Sequence, residues 1–153
     1  MKKLFLLICL CFFGLCEDGA FNIYLEFEKN KKLCGNGDAL ACSVVSLIYS
    51  WQGDHSRAVE YNKKACYGGN ADSCFFVSMA YYNGQGVEQD SLKIFEYAEK
   101  GCNDTSALSC AWLGGLYSVG KNVKQDYKKA KEYYDKACDL NLKDACDMYK
   151  TLK

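Results

Sequence analysis

The stretch CAWLGGLYSVGKNVKQDYKKAKEYYDKAC, residues 110–138, decides the fold of this chain because the same pattern occurs three times. The earlier copies are CFFVSMAYYNGQGVEQDSLKIFEYAEKGC at residues 74–102 and CSVVSLIYSWQGDHSRAVEYNKKAC at residues 42–66. The copies begin 32 and then 36 residues apart. A unit that returns at such a period is the mark of a helical repeat array, in which each unit buries its apolar face against its neighbours.

Each copy consists of two helical segments joined by a loop. In the last copy Ala130, Tyr133, Tyr134 and Ala137 recur at intervals of three and four residues, which is the apolar stripe of an amphipathic helix. An aspartate precedes this stripe in every copy and is expected to cap the helix by accepting hydrogen bonds from its first free N–H groups. These aspartates are Asp54, Asp90 and Asp126. We call the first helix of a unit helix A and the second helix B.

The ends of the array are expected to differ from its middle. The loop between helices A and B is four residues shorter in the first unit than in the other two, a change that a repeat tolerates easily. A leading helix is predicted at roughly residues 22–33, and an A-type helix near residues 143–151 is predicted to close the array as a cap. The predicted fold class is all-α, an α/α superhelical solenoid.

Eight of the 11 cysteines follow the repeat and form four pairs whose members are eight residues apart. They are Cys34, Cys42, Cys66, Cys74, Cys102, Cys110, Cys138 and Cys146. The first member of each pair closes a helix B, and the second lies early in the next helix A. A short turn therefore brings the two within disulfide distance. Eight cysteines allow 105 connectivities, and only this one treats every unit alike. The disulfides are predicted to staple consecutive units together.

Thiolate metal binding and redox chemistry are the competing interpretations of these cysteines. Structural zinc and redox-active thiols both favour the closely spaced C-x-x-C motif, which the sequence lacks. The single histidine, His55, excludes a histidine-rich metal site. The sequence therefore predicts structural disulfides, no metal site and no cofactor.

Residues 1–16 have the pattern of a secretory signal peptide. Lys2 and Lys3 precede an apolar run that is too short for a comfortable membrane span. Cleavage after Cys16 is predicted, because it places small residues at −3 and −1. The alternative is a lipobox that keeps Cys16 as a lipidated first residue. With cleavage after Cys16, the repeat domain is predicted to span residues 17–153, with about three full helix pairs plus terminal helices. It would be secreted or periplasmic, with no stable membrane insertion after leader removal.

The charge balance argues against a nucleic-acid partner. The chain has 19 basic and 19 acidic residues, and removal of Lys2 and Lys3 with the leader gives a net charge of −2. Nucleic-acid-binding proteins normally carry a basic excess. No nucleic-acid partner is therefore predicted.

The unit resembles the Sel1-like repeat, a relative of the tetratricopeptide repeat. The resemblance is carried by the A-x-L-G-x-L-Y-x-x-G pattern at residues 111–120, by Val123 and Asp126, and by the KAC at residues 136–138. The extra cysteine pairs make it similar to the cysteine-rich secreted Sel1-like proteins, the Helicobacter cysteine-rich protein family, over roughly residues 30–153. The resemblance implies a right-handed superhelix, export and one of two functions. One is a scaffold that binds a protein or peptide on its concave face. The other is binding and slow hydrolysis of β-lactams, for which the partner would be a β-lactam or a peptidoglycan-related small molecule.

Aromatic side chains of the A helices are the candidate ligand contacts, because A helices line the concave face of such solenoids. Tyrosine and tryptophan combine apolar area with a polar group, which suits recognition. Phe76 and Trp112 share the position two residues after a cysteine and could face either the groove or the core. Tyr82 aligns with Ser118 and so departs from the repeat pattern. The tyrosines that recur in step with the fold are predicted to be core residues; they are Tyr49, Tyr81 and Tyr117.

The sequence assigns no catalytic residue. An S-x-x-K match occurs from Ser118 to Lys121, at the end of a helix A, without the S-D-N and K-T-G partners of serine β-lactamases. A metallo-β-lactamase needs several histidines, and His55 is alone. If the protein is an enzyme, the resemblance alone makes it a β-lactamase.

Overall fold

The computed structural model describes residues 18–152, with side-chain environments from residue 22 onward. The predicted signal peptide at residues 1–16, its cleavage site and the alternative lipidation of Cys16 lie outside the described residues. Within the described part, no helix has both the length and the apolar character that crossing a membrane requires.

The described residues form eight α-helices and no strand. They are α1 (Asp18–Gly35), α2 (Ala39–Trp51), α3 (His55–Tyr67), α4 (Ala71–Asn83), α5 (Ser91–Asn103), α6 (Ala107–Val119), α7 (Tyr127–Asp139) and α8 (Lys143–Thr151). Helices α2, α4 and α6 are the A helices of three units, and α3, α5 and α7 are their B helices. Each helix packs against the next, and α4 also packs against α6. The predicted all-α solenoid is confirmed, although the leading helix α1 is longer than expected.

Polar side chains fix where the helices begin. The predicted caps of the B helices are confirmed, since each aspartate accepts a hydrogen bond of 3.0–3.1 Å from the N–H three residues later. The A helices begin in the same way, at Asp38, Asn70 and Ser106. Helix α8 follows Leu142 and has no side-chain cap. Each cap satisfies an N–H that the helix itself leaves free, which stabilises a helix by about 1 kcal/mol.

Stacked tyrosines join helix A to helix B within every unit. The pairs are Tyr49–Tyr61, Tyr81–Tyr97 and Tyr117–Tyr133, with ring centroids 5.4, 5.9 and 5.7 Å apart. Tyr49 and Tyr117 are buried, as predicted for core residues, whereas Tyr81 is half-buried and packs against the core cluster around Val77. Burial also raises the pKa of the Tyr97 hydroxyl, with a further contribution from the neighbouring Tyr67 hydroxyl.

The residue four positions after the cysteine of helix A controls how helix B approaches. In the first two units this residue is a serine whose hydroxyl donates to a carbonyl oxygen of helix B. The bonds are Ser46 to Ala58 and Ser78 to Ile94, both 2.8 Å long. In the third unit it is Gly114, where a Cβ atom would lie 2.8 Å from the Tyr134 ring. A hydrogen bond in the first two units therefore takes the place of close steric contact in the third.

In the described part of the chain, four disulfides connect consecutive units. They join Cys34 to Cys42, Cys66 to Cys74, Cys102 to Cys110 and Cys138 to Cys146, with Cα–Cα distances of 4.6, 4.8, 4.6 and 4.8 Å. The first three are buried and the last is half-buried. Each bond links the last turn of one B helix, or of α1, to the first turn of the next A helix, or of the terminal helix α8. The units are therefore held to one another by covalent bonds as well as by packing.

A residue with positive φ follows three positions after the first cysteine of every pair. These residues are Gly37, Gly69, Thr105 and Asn141, with φ of 93°, 101°, 73° and 69°. Glycine adopts this left-handed conformation without steric conflict, and asparagine tolerates it. A β-branched threonine does not, so Thr105 is strained in the third of the four turns.

Reduction is expected to melt or strongly loosen the protein. On the loop-entropy model, a closed ring of nine residues contributes about 2.6 kcal/mol, so four rings contribute on the order of 10 kcal/mol. That sum is comparable with the whole stability of a typical domain. Thermal unfolding followed by circular dichroism, with and without excess reductant, measures the effect. An unchanged melting temperature in reductant would contradict the prediction.

Thr105→Gly is expected to raise the free energy of unfolding by about 1 kcal/mol. A left-handed backbone costs a residue with a Cβ atom roughly 1–2 kcal/mol, and glycine removes this cost from the folded state. Part of the gain is offset because glycine increases the conformational entropy of the unfolded chain. Thr105→Ala is the matched control, since alanine keeps the Cβ atom and the strain. Urea unfolding of the three oxidised proteins compares them. Equal stability of the glycine and alanine variants would show that Thr105 is not strained.

Candidate binding groove

The A helices lie side by side, and two seams run between them. The filled seam lies between α4 and α6 and contains Phe75, Ser78, Tyr82 and Trp112. The open seam lies between α2 and α4 and is lined by Ser43, Ser46, Ser50 and Phe76. The backbones of α4 and α6 come within 8 Å of each other at several positions, whereas those of α2 and α4 hardly do.

The filled seam is closed by the indole of Trp112. Its Nε1–H donates a 2.9 Å hydrogen bond to the Ser78 hydroxyl oxygen, which in turn donates to the Ile94 carbonyl. The rings of Tyr82 and Phe75 meet the indole edge to face, with centroids 5.0 and 6.0 Å away. Trp112 is half-buried and packs against the core of the third unit. The structure therefore assigns Trp112 to packing between units.

Tyr82 has a cation on its other side. The Nζ atom of Lys121 lies 4.1 Å from the centroid of the Tyr82 ring, within the range of a cation–π interaction. Tyr82 is half-buried between this ammonium group and Trp112. It therefore belongs to the filled seam and is partly exposed.

The open seam contains two adjoining cavities. The larger has a volume of about 360 Å3, and the smaller, of about 120 Å3, shares Ser50, Asn62 and Phe76 with it. The Phe76 side chain is 50% exposed at this border. Phe76 is therefore the one predicted ligand residue that faces an open cavity.

The lining of the open seam is nearly neutral. Among the described residues around the larger cavity, Asp72 is the single charged one, and its Oδ1 atom accepts a 2.6 Å hydrogen bond from the Ser106 hydroxyl. His55 borders the smaller cavity, where the Gln85 amide nitrogen lies 3.1 and 3.2 Å from its two ring nitrogens. The seam consequently offers hydroxyls, amides and apolar surface more than charge.

An ion pair lies at the start of α3, next to the smaller cavity. The Arg57 backbone N–H and guanidinium both hydrogen-bond to Asp54 and hold the pKa of that carboxyl below its ordinary value. The guanidinium also lies over the Tyr49 ring, 4.6 Å from its centroid. These hydrogen bonds favour the ionised form of Asp54, which also caps α3.

The structure brings the three predicted ligand residues into one aromatic cluster, connected by a residue that the sequence analysis did not select. Phe75 lies between Phe76 and Trp112, with ring centroids 5.3 and 6.0 Å away. Asn62 was also missed. Both depart from the repeat: Phe75 aligns with Ser43 and Ala111, and Asn62 aligns with Ala98 and Tyr134. That departure is the signal that could have identified them.

In the S-x-x-K match, the serine and the lysine contact other residues and are not paired with each other. The Ser118 hydroxyl donates to the Gly115 carbonyl of its own helix at 2.9 Å, whereas Lys121 contacts Tyr82. The β-lactam activity implied by the resemblance thus stays a prediction without assigned residues. Among the described residues, no group of three or more metal-ligating side chains is clustered as a metal site would be.

This chain matches the family model of the Sel1 repeat at residues 52–70, which contain helix B of the first unit, and at residues 71–105 and 107–142, which contain the next two helix pairs. These ranges together make up more than half of the chain. No curated protein matches the sequence significantly.

Solved structures share the fold. A Sel1 repeat protein from Oxalobacter formigenes is 25% identical, with a TM-score of 0.69 over 80% of this chain and 96% of that one. Cysteine rich protein B of Helicobacter pylori is 28% identical, with a TM-score of 0.67 over 83% of this chain and 94% of that one. A protective antigen of uropathogenic Escherichia coli with an SLR fold is 26% identical, with a TM-score of 0.71 over 81% of this chain. This chain covers 28% of that longer protein.

The repeated unit, the stapled helix pairs and the matched ranges agree with one another. This chain therefore belongs to the Sel1 repeat family.

Proposed function

We propose that this protein is an exported scaffold whose open seam binds an extended segment of a partner protein. Solenoids of stacked helices generally use the surface along their repeats to bind other proteins. The observation that carries the proposal is the open seam itself, where two adjoining cavities expose an aromatic ring among hydroxyl and amide groups. A peptide needs both kinds of contact, because its side chains are varied and its backbone is polar.

Apolar contact is available from both walls of the open seam. Leu47 on α2 and Phe76 on α4 both line the larger cavity, and each is 50% exposed. A partner side chain placed between them would remove apolar surface of both residues from water. Full burial of a side chain of this size contributes roughly 1.5–3 kcal/mol, so half-burial of each would give a useful part of that.

Polar groups that could hydrogen-bond to a peptide also border the two cavities of the open seam. Asn62 is half-buried at the border of the two cavities, and its amide offers two donors and an acceptor. Ser50 is exposed on the rim of the same cavities. An extended peptide presents one N–H and one C=O per residue. Asn62 and Ser50 can therefore pair with the backbone of a bound segment without selecting a particular side chain.

Export is supported by the state of the cysteines. Every cysteine of the described residues is in a disulfide, and such bonds persist in oxidising compartments outside the cytosol. The cysteine-rich structural neighbour is consistent with an extracytoplasmic location. The apolar segment at residues 1–16 would direct the chain there.

Selection of a random peptide library on the oxidised, full-length protein tests the proposal. Peptides that bind in the open seam are expected to lose about tenfold in affinity with Phe76→Ala and again with Asn62→Ala. This corresponds to about 1.4 kcal/mol for each truncated contact.

Leu92→Ala is the matched control. Leu92 is 84% exposed on α5 and lines neither cavity, so its truncation removes a similar apolar surface elsewhere. Binding should survive this change. If no peptide is enriched, or if enriched peptides tolerate both seam variants, the open seam is not the binding surface.

A further inference from the structure

We propose that the open seam receives one tryptophan side chain of the partner, whose indole N–H donates a hydrogen bond to the Ser46 hydroxyl oxygen. This inference rests on the proposed function and adds the chemistry of the recognised group. It follows from the repeat, because the protein already holds an indole at the equivalent place in the filled seam.

The two seams correspond position by position. Phe76 is the second residue after the cysteine of its A helix, as is Trp112. Ser46 and Ser78 are both the fourth residue after that cysteine. Each serine donates its hydroxyl proton to a carbonyl of helix B over 2.8 Å. Ser78, which accepts the hydrogen bond from the Trp112 indole, therefore has a counterpart in the open seam. This counterpart is Ser46, whose hydroxyl is oriented in the same way by its hydrogen bond to helix B.

The hydrogen-bonding capacity of Ser46 selects a donor. A serine hydroxyl has one proton and two lone pairs, and the proton of Ser46 is already committed to Ala58. At Ser78 the acceptor capacity is used by the Trp112 N–H at 2.9 Å. Phe76 has no such group, and among the described residues no other donor reaches the Ser46 oxygen. Ser46 is 98% buried and lines the larger cavity, so an occupant that carries a donor can use the free lone pair of its hydroxyl oxygen.

The open seam also has the room. Ser43 and Ser50 stand where the filled seam has the rings of Phe75 and Tyr82. These smaller side chains leave the cavity of about 360 Å3. A cavity of roughly 150 Å3 holds a benzene ring, so an indole and part of its own peptide backbone fit here. The exposed ring of Phe76 can meet the indole edge to face, as Tyr82 meets Trp112 at 5.0 Å.

The walls favour a tryptophan within a peptide over free indole. The seam is nearly neutral, which suits an uncharged indole. Ser50 and Asn62 border the cavity and can hydrogen-bond to the peptide groups on either side of the tryptophan. Free indole would leave these groups without a partner from the ligand.

Titration of the oxidised, full-length protein with N-acetyltryptophanamide, followed by backbone amide NMR, tests the inference. Saturable shifts are expected at Ser46, Asn62 and Phe76, with a Kd on the order of 1 mM for so small a ligand. The analogue methylated on the indole nitrogen lacks the donor and should bind about fivefold more weakly, because one hydrogen bond is lost. Free indole should also bind more weakly.

Two serine variants separate the hydrogen bond from general effects on the fold. Ser46→Ala should weaken N-acetyltryptophanamide binding about fivefold and leave the methylated analogue unchanged. Ser78→Ala is the matched control, since it removes the equivalent serine–carbonyl bond in the filled seam. It should leave the titration unchanged. The comparison of methylated and unmethylated ligands in the unaltered protein does not depend on either variant.

Three results would overturn the inference: no saturable shifts in the seam up to about 10 mM ligand, equal binding of the methylated analogue, or tighter binding of free indole. Failure of the proposed function looks different. Selected peptides that need Phe76 and Asn62 but contain no tryptophan leave the scaffold function intact and overturn the tryptophan site. Selected peptides whose affinity is unchanged in both the Phe76 and Asn62 variants overturn the scaffold function, regardless of the result of the N-acetyltryptophanamide titration.

Discussion

A short covalent ring recurs four times along this chain, and the arrangement of the helices depends on it. Each disulfide ties the end of one helix to the start of the next A helix across an eight-residue separation, with Cα atoms 4.6–4.8 Å apart. The link leaves little freedom in the angle between one unit and the next. Within each unit, a pair of stacked tyrosines holds helix A against helix B. Covalent and aromatic contacts thus alternate along the array.

This division allows the surface between the A helices to vary. Because the units are held by their turns, the seams between A helices do not have to be packed for the solenoid to form. One seam is closed by Trp112 and its aromatic neighbours, and the other has serines at the corresponding positions and stays open. The same scaffold therefore carries one structural seam and one that can receive a partner.

The parts of the fold that are local in sequence were predictable. The eight-residue cysteine spacing, the capping aspartates and the three-and-four periodicity each act within one helix or one turn. The role of Trp112 was not predictable in this way. Its hydrogen bond to Ser78 joins residues that are 34 positions apart and lie in two adjacent units. Helical periodicity carries no information about such a contact. Asn62 was missed for the same reason, although its departure from the aligned Ala98 and Tyr134 marked it.

The central claim, that neighbouring units are joined by four local disulfides, is tested most directly by tryptic mapping of the exported, unreduced protein. No lysine or arginine lies between the two cysteines of the first three pairs. Each of these pairs should therefore stay within one peptide that is lighter by two hydrogen atoms than its reduced form. Lys143 separates Cys138 from Cys146, so the fourth pair should appear as two linked peptides. Free thiols at these positions, or peptides that link cysteines of different pairs, would contradict the account.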